Sequence, residues 1–116
     1  MTIAAMSSVP FKQQDAAATG NGTVLAVPPS FRNHTWIITG ASGVNAGAIQ
    51  IESSNDPADA GTWAPLTASP TTVVASADVI VQVVGLLNFV RARISTTISG
   101  GGSPSVTVQY TGAKSY

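Results

Sequence analysis

Three stretches of this chain keep a strict two-residue beat. In "AIQIES" (Ala48 to Ser53), Ile49 and Ile51 share one side and Gln50 and Glu52 the other. In "NFVRARIST" (Asn88 to Thr96), Val90, Ala92 and Ile94 oppose Arg91, Arg93 and Ser95. In "SVTVQYT" (Ser105 to Thr111), Val106, Val108 and Tyr110 oppose Thr107 and Gln109. Successive side chains of an extended strand point to opposite faces, so this beat belongs to strands with one buried face and does not fit a helix.

The rest of the chain is punctuated to match. "TVLAV" (Thr23 to Val27) reads as a short strand stopped by Pro28 and Pro29, and "HTWIIT" (His34 to Thr39) as an apolar strand ending at Gly40. "TWAPLT" reads as a strand whose ends are anchored in the core by Trp63 and Leu66. "VVASADVIVQVVG" (Val73 to Gly85) reads as two strand pieces broken near Ser76 to Asp78. "SSNDPADAG" and "SGGGSP" are turns. Charged helix formers are nearly absent, since Lys and Glu together amount to Lys12, Lys114 and Glu52. The expectation is an all-β fold, an antiparallel β-sandwich or jelly roll of about eight short strands.

The opening residues lack a steady period. Val9 and Phe11 flank Pro10, and "DAAATGNGT" is small and polar, which predicts an extended N-terminal arm or edge strand over residues 1–20. One sandwich domain is expected over 21–116, a length that suits a single modest core. The segment "MTIAAMSSVPFKQQD" has no basic stretch followed by a long apolar run, so no secretory signal is expected.

Charge narrows the partners. The net charge is zero and 9% of residues are charged, so no basic excess directs the chain to nucleic acid or an anionic membrane surface. No window approaches the roughly 18 apolar residues of a membrane span. A chain so poor in charge is weakly protected against association and suits packing against a partner or copies of itself. With no cysteine there is no disulfide framework and no thiolate metal site.

Four candidate chemistries present themselves. "TGASGVNA" matches a dinucleotide fingerprint at Thr39, Gly40 and Gly43, with Asp59 placed as a ribose-binding acid would be. That motif needs a helix to start at its end and present free N–H groups to the pyrophosphate. Here "GAIQIESSNDP" keeps the strand period and reaches Pro57, so no cofactor is expected and the glycines read as a hairpin loop joining His34–Thr39 to Ala48–Ser53. His34, the one histidine, lacks a Gly-x-Ser-x-Gly elbow to serve and is expected at a surface or rim. Asn55, Asp56 and Asp59 supply oxygens but not a calcium-loop spacing, so an Asx-turn is expected there rather than a metal. Arg91 and Arg93 share a strand face, one expected to pair with Glu52 or Asp78 and the other open to a partner carboxylate or phosphate. Trp36 and Trp63 are expected in the core. No catalytic residue emerges, and the chain reads as a non-enzyme. The candidate partner contacts are Val9, Phe11 and Lys12 on the arm together with Arg91 and Arg93.

Taken in order, "AIQIESSNDPADAGTWAPL", "FVRARIS", the glycine-rich turn and "SVTVQYTG" form a strand-loop-strand unit followed by two further strands. This order resembles small β-sandwich virion proteins of tailed bacteriophages, notably head decoration (cement) proteins, across residues 34–112. The resemblance implies a structural role on the capsid surface of a virion assembled in the host cytoplasm. It further implies the major capsid protein as partner, self-association as a homotrimer, and reinforcement of the shell at subunit junctions. Similar strings occur in phage tail and neck components, so the alternative is a tail or fibre-associated module that recognises a host glycan or another virion protein; a glycan-binding or tail-fibre domain would use Trp36 or Trp63 and the Asn55–Asp59 loop.

Overall fold

The computed structural model describes residues 11–56 and 62–114. Among them are nine strands and no helix: β1 (Phe11–Ala17), β2 (Leu25–Ala26), β3 (Phe31–Gly40), β4 (Val44–Ser54), β5 (Ala64–Pro65), β6 (Thr71–Thr72), β7 (Asp78–Val84), β8 (Phe89–Gly100) and β9 (Val106–Lys114). They form two antiparallel sheets, β1-β9-β3-β7 (sheet I) and β2-β8-β4-β5 (sheet II), with β6 also on β4. The pairs β1 with β9, β2 with β8, β3 with β7, and β4 with β5 and β6 describe one long hairpin. Rolling that hairpin lays β9 against β3 and β8 against β4 and completes both sheets. The result is a jelly roll, the narrower of the two architectures expected.

The alternating strands behave as their patterns require. Trp36 and Ile38 of β3 and Val106, Val108 and Tyr110 of β9 fill the space facing Ile49 and Ile51 of β4 and Val90 and Ala92 of β8, all at 3% exposure or less. The break expected near Ser76–Asp78 lies where Ser76 has a positive φ of 53°. Only one regular strand, β7, falls within Val73–Gly85; the first piece is reduced to an isolated bridge between Ala75 and Gly40.

The hairpin expected at "TGASGV" is corrected. Strands β3 and β4 belong to different sheets and do not pair. Each carries one apolar face, and folding the second over the first sets those faces against each other, whereas side-by-side pairing would leave both uncovered. Val44 N–H donates to Ala41 C=O (3.3 Å), and Gly43 has the φ of 87° that a type II turn demands at its third position. The β8–β9 corner stacks directly on this turn. Gly101 N–H donates to Gly43 C=O, and Ala41 N–H to Ser105 C=O, each at 3.0 Å. A Cβ on Gly43 would lie 2.6 Å from the Gly101 carbonyl oxygen, so the glycine is fixed both by its φ and by the approach of the neighbouring corner.

Part of the segment expected as an extended arm or edge strand is described. Residues 11–17 are the edge strand of sheet I, and residues 1–10, Val9 included, lie outside the described residues. Between Lys12 and Gln14 two steps on β1 match one step on β9, which makes Gln13 the extra residue of a bulge. The bulge turns consecutive glutamines inward, Gln13 to 1% and Gln14 to 4% exposure. Gln13 Nε2–H donates to Val90 C=O (2.8 Å) and Thr23 C=O (3.1 Å), while its Oε1 accepts from Trp36 Nε1–H (2.7 Å). Gln14 Nε2–H donates to Ala92 C=O (2.7 Å) and Gly20 C=O (3.2 Å). Where β2 stops covering β8, Ile94 N–H donates to Gly20 C=O and Ile98 N–H to Ala18 C=O, each at 3.0 Å. The segment from 11 to 22 thus seals the open side between the sheets.

Replacing Gln13 by Leu strips a partner from two buried groups, the Trp36 indole N–H and the Val90 carbonyl, and from the part-buried Thr23 carbonyl. The expected loss is about 3 kcal/mol in urea unfolding, against less than about 0.5 kcal/mol for Lys12→Ala on the same strand's exposed face.

Candidate interaction surface

The polar residues of sheet II are turned to internal use. Gln50, Glu52, Arg91 and Arg93 occupy the face away from the core, yet Gln50, Glu52 and Arg91 are buried, with Trp63 lying over Arg91 and Thr67 over Gln50. Gln50 Nε2–H donates to Thr67 Oγ1 (3.0 Å). Glu52 sits opposite Arg91 in the register and diagonal to Arg93, and it accepts from Arg91 Nε–H at 2.8 Å and Arg93 Nε–H at 3.1 Å. The Trp63 ring lies over the Arg91 guanidinium at 4.4 Å. A buried ion pair with this geometry is costly to break from one side, because the remaining charge stays out of water. Both arginines therefore take Glu52, where one was expected to. Arg91 is not a surface cation, and Arg93, with its side chain 35% exposed, reaches solvent. Asp78, the other expected partner, accepts from Thr39 Oγ1–H at 2.6 Å.

Trp63 departs from expectation too: it covers Arg91 on the outside of sheet II instead of entering the core between the sheets. Trp36 is fully buried, as expected. That removes one of the two aromatic platforms a glycan-binding reading would use. In the neighbouring loop, Asp56 N–H donates to Ser54 Oγ (3.0 Å) and Asn88 Nδ2–H to Asn55 Oδ1 (2.7 Å), so local polar groups bond the loop itself. Asp59 lies outside the described residues, and among those described no three metal-ligating side chains converge.

His34 is not at a rim. It is 1% exposed, on the inward side of β3 with Trp36 and Ile38. Its Nε2 faces the Gly85 carbonyl at 2.8 Å and its Nδ1 the Tyr110 hydroxyl at 2.7 Å. A carbonyl only accepts, so Nε2 carries the proton and Nδ1 receives the Tyr110 O–H. Burial lowers the His34 pKa against the opposing pull of the Gly85 carbonyl, and burial pushes the Tyr110 hydroxyl up to about 12. Both groups are neutral and satisfied, and they tie β3, β9 and the start of the β7–β8 connection together.

Sheet I presents the surface that remains. Alternation turns Asn33, Thr35, Ile37 and Thr39 of β3 outward, with Thr107, Gln109 and Thr111 of β9 and Ile80, Gln82 and Val84 of β7. In the register Thr35 lies between Gln82 and Thr111, and Ile37 between Ile80 and Gln109. These rows carry no charge. Charge enters at the margins, through Asp78 held by Thr39, through Lys12, which neighbours Gln109 and pairs with Asp15 at 3.5 Å, and through the exposed Arg32 and Lys114 where β3 begins and β9 ends. Phe11, 37% exposed, ends the same edge strand. Lys12 therefore borders this face, Phe11 lies on the same edge strand but on the inward, Tyr110 side of the sheet, and Arg91 and Arg93 belong to the opposite sheet, so the structure does not bring the expected contacts together.

No family model, curated protein or solved structure matches the chain.

The His34 site sets a pH dependence. Above about pH 6.5 the imidazole is neutral in both folded and unfolded chains. As the pH falls the unfolded chain takes up the proton first, so the folded state loses stability between about 6.5 and the lowered folded value. The urea midpoint is expected to drop from about pH 7.5 to about pH 5, and by less in His34→Gln.

Proposed function

We propose that this chain is a structural virion protein that binds the outside of a tailed-phage capsid and stabilises the shell at subunit junctions. The observation that carries this reading is the uncharged centre of the outer face of sheet I. Interface cores are depleted in charged residues, because burying a charge against a partner costs far more than burying a hydroxyl or amide that finds a bond. Threonine, valine and isoleucine on a strand also have few rotamers to lose when a partner covers them. The ordered strand pattern that resembles cement proteins supports the same reading. A shell offers many identical sites, so one modest face, repeated, holds a stable coat.

In this reading the β1 edge, with Lys12, borders the contact, and Arg93 is available to a second capsid subunit. The purified chain should cosediment with emptied, expanded capsids of its phage. Thr35→Glu with Thr111→Glu, which places charge in the middle of the face, should weaken that binding about tenfold or more. Absence of the wild-type chain from the capsid pellet would overturn the proposal, and unaltered binding of the charged variant would remove the face from it.

A further inference from the structure

Four sheet edges face solvent or loops, and three of them are guarded. Strand β1 carries Lys12 and Asp15, two register shifts against β9 and the positive φ of Ala16. Strand β2 is two residues long and is followed by Pro28 and Pro29. Strands β5 and β6 are two residues each, accompanied by Pro65 and Pro70. Short length, bulges, prolines and charges are the devices that keep an edge from pairing with another chain. Strand β7 has none of them beyond Asp78 at its start. It is seven residues long, keeps unbroken register with β3, and contains no proline and no charge from Val79 to Val84.

Its free side can be read from the bonds it makes. Gly40 N–H donates to Ala77 C=O and Gly85 N–H to Arg32 C=O, which fixes the odd-numbered residues of β7 as those bonded to β3. The N–H and C=O groups of Ile80, Gln82 and Val84 therefore point to the open edge. Their side chains are exposed as well, Ile80 at 62% and Val84 at 76%, with Leu86 at 59% just beyond.

We infer that β7 pairs antiparallel with β7 of a second copy of this chain, across a two-fold axis at Gln82, joining the two copies of sheet I into one continuous sheet. The sequence of the edge is complementary to itself in that register. Gln82 meets Gln82 of the second copy, and Ile80 meets Val84 of the second copy on the same face, twice. Sliding the pairing two residues one way sets the Asp78 carboxylate against Val84. Sliding it the other way sets Gln82 against Val84 and separates the amides. No like charges meet, since the two copies of Asp78 lie at opposite ends of the joint. The chosen register also bonds the edge groups of Ile80, Gln82 and Val84, which no other strand among the described residues pairs. The outcome is a dimer, in contrast to the trimer that the sequence resemblance implies, and it requires no capsid.

Sedimentation of the full chain without capsid, from micromolar to near-millimolar concentration, tests this. A monomer–dimer equilibrium is expected, shifted at least tenfold toward monomer by Ile80→Lys with Val84→Lys, with an unchanged far-ultraviolet spectrum. Because the chain has no cysteine, Gln82→Cys should oxidise to a linked dimer. Ile80→Cys should not, since the two copies of that residue would lie about 14 Å apart along the strands. A wild-type monomer or trimer throughout, a dimer that survives the two lysines, or cross-linking at position 80 equal to that at position 82 would overturn the inference.

Discussion

The side-chain amide of Gln13 is the joint on which the two sheets depend. A sandwich normally closes its flanks with apolar side chains, but here a bulge swings a glutamine into the gap, and both N–H groups and the oxygen of its amide are bonded. One bond goes to the indole of Trp36 in sheet I, one to a β8 carbonyl in sheet II, and one to the connection that links them. In a low-dielectric interior such a group stabilises only when fully bonded, so it selects one register of β1 against β9 and one separation of the sheets. Gln14 repeats the arrangement one step along, onto Ala92.

At the far end the stacked corners at Gly43 and Gly101 do related work with backbone alone. Between these two closures the polar side chains with most chemical potential are bound internally: Glu52 to two arginines, His34 to Tyr110 and Gly85. What reaches solvent at the centre of the outer face of sheet I is hydroxyl, amide and aliphatic surface, with charge at its margins. A body of this kind presents a rigid face for contact, and the proposed capsid role and the β7 pairing both draw on it, through the centre of the face and its edge respectively.

Much of this was legible from periodicity. Strands β4, β8 and β9 follow from residue alternation because one side of each is in the core, β3 follows from its apolar run before Gly40, and the loop at "SSNDP" and the turn at "SGGGSP" follow from their composition. Alternation also contained the burial of His34, which shares parity with Trp36 and Ile38; the lone histidine's chemical type outweighed its position in the pattern. Periodicity cannot say which strands pair. "TGASGV" has the glycines of a hairpin, and its role as a corner is decided by β8–β9, some sixty residues away. Nor does it register a bulge, so Gln13 and Gln14 read as part of a polar arm. On sheet II the alternation of Gln50, Glu52, Arg91 and Arg93 was plain, but the loop that buries their side is a tertiary event with no local signal.

Native-state hydrogen exchange at the Trp36 indole N–H, followed by NMR, bears most directly on the claim that the Gln13 amide locks the sheets together. The account predicts that this proton exchanges only through global unfolding, with the same free energy as the slowest core amides of β3 and β8. Exchange through an opening of much lower free energy, while those core amides stay protected, would show that the flank opens independently and would contradict it.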